Sequence, residues 1–247
     1  MRPQPLLVAL ALASAPAASA RAAENQPVRL TLVRHGEAAG DPFAAPSRPV
    51  HGFLSERGVQ QAEAARRALA EERFDVAFSS PYGRALQTAE AVLQGRAVEI
   101  RVLPFLREWL PNPALAGAPK ETLDEVTRRA SQAYAEESWK TGLGEGTFEM
   151  YARIVPPFLA ELDRLGIHNR MGGFVVDEKA RGLSIVVFAH GGTLNVLLSH
   201  LLGLRPFPQG AFAFELTGVA LLQLTERQGI GYPQLVVRPA SGPGASR

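Results

Sequence analysis

One design occurs twice in this chain. Val28-Arg29-Leu30-Thr31-Leu32-Val33 is an apolar, β-branched run that stops at Arg34-His35-Gly36. Far downstream, Ile185-Val186-Val187-Phe188-Ala189 stops in the same way at His190-Gly191-Gly192. A short, nearly continuous apolar run marks a strand buried on both faces, and such strands belong to parallel sheets covered by helices. In sheets of that kind, ligands meet the chain in the crevice outside the carboxyl ends of the strands. Two strand ends that each deliver a histidine and a glycine therefore predict two imidazoles facing one crevice.

The intervening stretches fit the same layering. Val59–Leu69 is rich in Ala, Gln and Arg and reads as a helix, with Ser55 as its cap and Glu56 in its first turn. Phe74–Ser80 reads as a second strand stopped by Pro81, Arg84–Leu93 as a helix and Val98–Leu103 as a third strand. Pro104–Pro119 is irregular, and Glu121–Lys140 reads as a polar helix. Thr147–Leu165 is a further helix that the Pro156-Pro157 pair must kink or split. Gly166–Gly173 reads as a loop, Phe174–Arg181 fits no single element, Leu183–Ala189 is a strand and Thr193–Leu202 a helix. Ala211–Leu216 and Val219–Thr225 flank Thr217-Gly218, which reads as a tight hairpin turn. Strands alternating with helices predict an α/β class, three layers (α/β/α) around a mostly parallel central sheet.

Composition bounds the function. With 247 residues, 46% hydrophobic and 20% charged, the chain can bury a proper core. A formal net charge of only +2 does not call for a nucleic-acid partner. The absence of cysteine excludes disulfides and zinc–thiolate sites. The amino terminus has a basic Arg2, an apolar run Leu6–Ala13 and a small-residue Ala18-Ser19-Ala20 site, the layout of a secretory signal peptide over residues 1–22. The run is shorter than the roughly 20 residues a membrane-spanning helix needs. The expectation is export to the periplasm or beyond, without stable membrane insertion after cleavage. Residues 23–238 then form the domain, with a helical and irregular insertion over about 104–173, and 239–247 read as a disordered tail. Nothing in the pattern selects an oligomeric state.

The chemistry lies at the strand ends. Arg34, His35 and His190 sit there, and Arg84 opens the helix after Ser79-Ser80-Pro81. Two arginines and two histidines in one crevice make a concentrated positive pocket. Arginine suits phosphate because its planar fork makes bidentate, charge-assisted hydrogen bonds. Backbone N–H groups after Gly191 add donors for an anion. A neutral imidazole can attack phosphorus, giving a phosphohistidine that water then hydrolyses. A leaving group needs a proton, and Glu108 in Leu106-Arg107-Glu108 is the candidate donor, with apolar neighbours expected to hold its proton against the basic cluster. Each residue alone has a plainer reading: His35 structural, Arg84 a solvated helix residue, Glu108 an ion-pair partner of Arg107. His51, His168 and His200 keep the plain reading, as turn, loop and helix residues. Pairing of histidine with arginine rather than carboxylate argues against a metal, which the arginines would repel.

These residues also carry a family resemblance. Arg34-His35-Gly36-Glu37 resembles the signature of the histidine phosphatase superfamily, the phosphoglycerate mutase-like fold. Leu54-Ser55-Glu56-Arg57-Gly58-Val59-Gln60-Gln61-Ala62 is similar to its Leu-Thr-x-x-Gly-x-x-Gln-Ala segment. Ser79-Ser80-Pro81-Tyr82-Gly83-Arg84-Ala85-Leu86-Gln87-Thr88-Ala89 is similar to its Ser-Ser-Pro-x-x-Arg-Ala-x-Gln-Thr-Ala block. Leu106-Arg107-Glu108 fits its Leu-x-Glu, and Ala189-His190-Gly191-Gly192 its second histidine block. The blocks run in the family order from about Val28 to Thr225.

The resemblance implies His35 as the phosphorylated nucleophile. It implies Arg34, Arg84, His190 and Gly191 around the phosphoryl oxygens, Glu108 as proton donor and then base for water, and no cofactor or metal. The acid phosphatase and phytase branch resembles Arg-His-Gly-x-Arg-x-Pro with His-Asp at the second block. Here Glu37-Ala38-Ala39-Gly40 and Gly191 stand instead, which favours the mutase-like branch. The glycolytic mutases continue Arg-His-Gly-Glu-Ser with Trp-Asn, whereas this chain has Ala38-Ala39-Gly40-Asp41-Pro42, and His51 replaces an Asp. The resulting expectation is a metal-independent phosphomonoesterase acting on a small-molecule phosphoester. The competing readings are a phosphoglycerate mutase or phosphotransferase, and an inactive phosphoester-binding module.

Overall fold

In the computed structural model of the chain, the described residues are 26–39, 52–115, 118–133, 140–142, 144–170, 172–205 and 211–237. The signal peptide, most of the Glu37–Val50 loop, His51 and the tail 239–247 lie outside them.

The apolar run forms β1 (Arg29–Arg34). It pairs in parallel with β8 (Ser184–Ala189), with Leu32 opposite Val187 and Arg34 opposite Ala189. Beyond β8 lie β2 (Val76–Ser79) and β3 (Ile100–Val102), both parallel to it. On the other flank β1 pairs antiparallel with β9 (Val219–Arg227), followed by β10 (Ile230–Val236), β7 (Gly173–Val176) and β6 (Ile167–Arg170). The eight-stranded order is β3-β2-β8-β1-β9-β10-β7-β6.

Alternation along the strands builds two cores. Leu30, Leu32, Ile185 and Val187 face one side, against Ile154, Phe158 and Leu162 of α4 (Thr147–Arg164) and Leu194 and Leu197 of α5 (Gly191–Leu201). Val33, Val186, Phe188 and Ala77 face the other, against Ala65 and Leu69 at the end of α1 (Glu56–Ala68) and Ala89, Val92 and Leu93 of α2 (Gly83–Leu93). Each of the Val, Leu, Ile and Phe side chains contributes about 1.5–3 kcal/mol by leaving water. The expected three-layer α/β arrangement is present, with the parallel strands at the centre of the sheet. Ser55 caps α1 as read, its hydroxyl accepting the Gly58 N–H at 3.0 Å. Among the described residues no helix is long and apolar enough to cross a membrane.

Several boundaries differ from the sequence reading, each for a physical reason. Helix α4 runs unbroken through Pro156-Pro157. The prolines remove two amide donors, but burial of Ile154, Val155, Phe158 and Leu162 on one stripe holds the helix together. Helix α3 (Lys120–Ala133) ends before Lys140, which instead begins a small hairpin, β4 (Lys140–Thr141) with β5 (Gly144–Glu145). The Gly166–Gly173 stretch is not a loop but holds edge strand β6, paired with β7. Its polar His168-Asn169-Arg170 sequence is what an edge tolerates and a pattern search discards. Ala211–Leu216 forms no strand. The hairpin lies later, at Gln228-Gly229 between β9 and β10, where both turn residues take positive φ (53° and 80°) as a two-residue turn requires.

Candidate active site

Parallel strands all end at one edge, and the predicted residues follow those ends directly. Arg34 closes β1 and His35 follows; Ser80 follows β2; His190 follows β8 and caps α5. The backbone ladder continues past the strands to hold them: His35 N–H donates to Ala189 O at 3.0 Å and Ser80 N–H to Phe188 O at 2.9 Å. After β3, Leu103 N–H donates to Ser79 O at 2.8 Å, and a 3-10 turn over Pro104–Leu106 leads into Arg107-Glu108.

His35 is buried, with its Nδ1 2.6 Å from the Gly36 carbonyl. A carbonyl only accepts, so Nδ1 carries the proton and the lone pair sits on Nε2. There Arg84 donates its Nε–H at 3.1 Å. Burial pushes the His35 pKa down to about 4, helped by the charges of Arg84 and Arg34 and opposed by the Gly36 carbonyl. The imidazole is thus neutral at any pH near 7.

His190 is fully buried, edge-on to His35 at 4.9 Å between ring centroids. Its Nε2 pairs with Ser80 Oγ at 2.7 Å, while Nδ1 has no protein partner. Burial above all, then the Arg84 charge, holds its pKa well below the ordinary value. Arg34 donates to the Phe214 carbonyl, and Gly191 packs against its guanidinium: a Cβ there would stand 3.6 Å away. Arg84 lies over the Tyr82 ring at 5.0 Å, and its amide donates to Gly52 O. Thr88 ties helix α2 to the loop after β1, accepting the Gly36 N–H at 3.1 Å and donating to Arg84 O at 2.7 Å.

Glu108 differs from expectation. Hydrogen-bond donors, not apolar walls, surround its carboxylate. Oε1 accepts from the Trp109 and Thr193 amides at 2.8 and 3.2 Å, and Oε2 from the Gly192 amide at 3.1 Å. The carboxylate therefore occupies the positive amino end of α5, the helix that His190 begins. A Cβ at position 192 would come within 2.7 Å of Oε1, so glycine permits this approach.

The structure thus brings together Arg34, His35, Arg84, His190, Gly191 and Glu108. Sequence reasoning missed Ser80, the partner of His190, and Tyr82, whose buried hydroxyl has no partner among the described residues. It also missed Thr193, whose hydroxyl donates to Arg107 O at 2.9 Å. Their only signal was adjacency to a strand end. His168 pairs with Asp163 and Asp177, and His200 with Tyr151, so neither joins the cluster. Among the described residues no group of three or more His, Asp or Glu gathers as a metal site.

Comparison with known proteins agrees with this geometry. The family model of the histidine phosphatase superfamily (branch 1) matches residues 30–230. Adenosylcobalamin/alpha-ribazole phosphatase of Salmonella typhimurium is 28% identical over 180 residues, covering 71% of this chain and 80% of that protein. A 2,3-bisphosphoglycerate-dependent phosphoglycerate mutase of Methylobacterium radiotolerans is 30% identical over 187 residues, covering 71% and 79%. The structure of a mycobacterial glucosyl-3-phosphoglycerate phosphatase superposes with a TM-score of 0.66 at 26% identity, covering 87% of this chain and all of that one. A model match across most of the chain, on a fold and edge cluster of this kind, establishes that the chain belongs to the histidine phosphatase superfamily, branch 1.

Proposed function

We propose that the protein is an exported, metal-independent phosphatase that hydrolyses a small-molecule phosphate monoester through a phosphohistidine on His35. The observation that carries this is the orientation of His35. Its proton is tied to Gly36 O, and its free lone pair, on a neutral ring, points at Arg84. An entering phosphate replaces the imidazole as acceptor of the Arg84 N–H, and Arg34 and the Gly191 amide take the remaining phosphoryl oxygens, the Gly192 and Thr193 amides being engaged by Glu108. Nε2 of His35 then forms a bond to phosphorus while the bond to the ester oxygen breaks. Glu108, entering this step in its protonated form, gives that oxygen its proton, and the alcohol departs. In the second half Glu108 takes a proton from water, the water oxygen bonds to phosphorus, and the P–N bond breaks to release phosphate and restore neutral His35. Arg34, Arg84 and His190 stabilise the charge on the transferring group. The relatives named above differ in the group that bears phosphate, which supports the phosphorus chemistry rather than any one alcohol. Export rests on the layout of residues 1–22.

The test is phosphate release by the purified mature protein from a broad phosphoester panel, with His35→Ala as control. Activity is expected to vanish in the variant and to survive excess chelator. Full activity in His35→Ala would falsify the mechanism. The mutase relative favours one second reading, phosphoryl transfer between hydroxyls. It requires transfer to outpace phosphate release when an acceptor alcohol is present.

A further inference from the structure

Glu108 is held from two sides, and only one of them belongs to the site described above. Its carboxylate is fixed by the amino end of α5. Its backbone is fixed by Arg153 of α4. The Arg153 guanidinium donates from Nη1 to Phe105 O at 2.7 Å and Arg107 O at 3.1 Å, and from Nη2 to Glu108 O at 3.4 Å. Three carbonyls of the loop that carries the acid thus converge on one cation. The remaining donors grip Glu145 of β5 in a fork, Nε to Oε1 and Nη2 to Oε2, each at 2.6 Å. The pair is largely shielded from water, its side chains only 11% and 10% exposed.

Glu145 in turn lies along the same loop. Its amide donates to Leu110 O at 2.9 Å, its Oε2 accepts the Leu110 N–H at 3.2 Å, and its carbonyl accepts the Trp109 indole N–H. The segment Phe105–Leu110 is therefore enclosed between one guanidinium and one carboxylate. The loop's other anchors are the buried Leu106 side chain, the Thr193 hydroxyl on Arg107 O and, at its far end, a bridge of Pro111 with Gly144; between Leu103 and Pro111 it has one 3-10 turn and no ladder partner among the described residues.

We infer that Arg153, paired with Glu145, is the positioning residue for the general acid: it sets the loop so that Glu108 reaches the leaving-group oxygen. The inference rests on the role proposed for Glu108. A fork is needed, because a single ammonium cannot hold a bidentate carboxylate and three carbonyls at once. Misplacement of a reacting group by about 1 Å costs about 100-fold in rate.

The test separates proton delivery from everything else. Two substrates are compared, an alkyl phosphate, whose alkoxide must be protonated to leave, and 2,4-dinitrophenyl phosphate, whose phenolate leaves without a proton. Because both esters share the hydrolysis of the phosphohistidine, the comparison is made in kcat/KM, which reports only the step that expels the alcohol: Glu108→Gln should depress it for the alkyl ester by about 100-fold or more and spare it for the dinitrophenyl ester. Arg153→Lys should show the same selectivity, with a loss of about tenfold to 100-fold in kcat/KM for the alkyl ester and KM within about threefold. In the Glu108→Gln background, Arg153→Lys should add nothing further on the alkyl ester. Glu145→Gln, which keeps the guanidinium and the shape of its partner, should repeat the pattern more weakly and covers the case in which Arg153→Lys does not fold. Parallel losses on both esters, or additivity with Glu108→Gln, would make the clamp merely structural and overturn the inference. If Glu108→Gln itself shows no leaving-group selectivity, the role of Glu108 fails first and the inference falls with it.

Discussion

Strands β3, β2, β8 and β1 run parallel, whereas β9, β10, β7 and β6 each run antiparallel to their neighbours. In the parallel half every carboxyl end lies at one edge. Four chain segments therefore deposit their next residues together: His35, Ser80 with Arg84, Glu108 and His190. In the antiparallel half successive ends alternate between edges, and polar residues disperse. There the charges make ordinary surface pairs, such as Arg181 with Glu226 and His168 with Asp163. A cleft of about 470 Å3 does open in this half, beside the amino end of β1, lined by Val28, Val176, Arg181, Thr225 and Glu226 among others. Its one arginine already pairs with a glutamate, so it has no surplus of positive charge. Strand direction, rather than the supply of charged residues, concentrates the chemistry.

One substitution in each half separates their roles. His35→Ala is expected to drop phosphate release to background, whereas Tyr232→Ala, on exposed β10, should leave it within about twofold. A comparable loss from both would end the division of labour. The next effect is that of Glu108→Gln, about 100-fold to 10,000-fold on an alkyl ester, read by steady-state kinetics.

Acidification should weaken the parallel half first. His35 has a folded pKa of about 4 against 6.5 when unfolded. Above pH 6.5 it is neutral in both states and contributes no pH dependence. Between pH 6.5 and 4 only the unfolded chain takes the proton, so stability falls as pH falls, by about 3 kcal/mol once both are protonated. His190, shifted in the same direction, adds to this loss. Urea midpoints at pH 7 and pH 5 measure it, and His35→Gln should shrink the difference; an unchanged difference contradicts the burial argument. In the free enzyme the same shift predicts that kcat/KM shows no acid limb from His35 near pH 6.5. The smallest effect is Ser80→Ala. It removes the one protein partner of His190 Nε2 among the described residues, and about tenfold in kcat/KM is expected, with the fold intact by circular dichroism.

Much of this was legible in the residues. The strand at Val28–Arg34 and the strand before His190 followed from their continuous apolar runs, and the helix read over Val59–Leu69, which starts at Glu56 in the structure, from its composition and Ser55 cap. The gathering of Arg34, His35, Arg84 and His190 could be anticipated from strand ends. Edge strand β6 was not, because its polar residues match a loop as well as an edge. Nor was the β9–β10 hairpin, because Gly231 and Pro233 within β10 mask its alternation. Unbroken α4 was lost to a sound local rule that burial overrode.

By itself, then, the sequence determined which side chains stand at the carboxyl ends of the buried strands, since a continuous apolar run and an abrupt glycine are properties of neighbouring residues. The tertiary structure alone decided what those side chains meet. Glu108 finds the amides of Gly192 and Thr193 more than eighty positions away, and Arg153 finds the carbonyls of Phe105, Arg107 and Glu108. No local pattern encodes such meetings, because crossover connections and helix packing bring the partners together, and these depend on the whole chain at once.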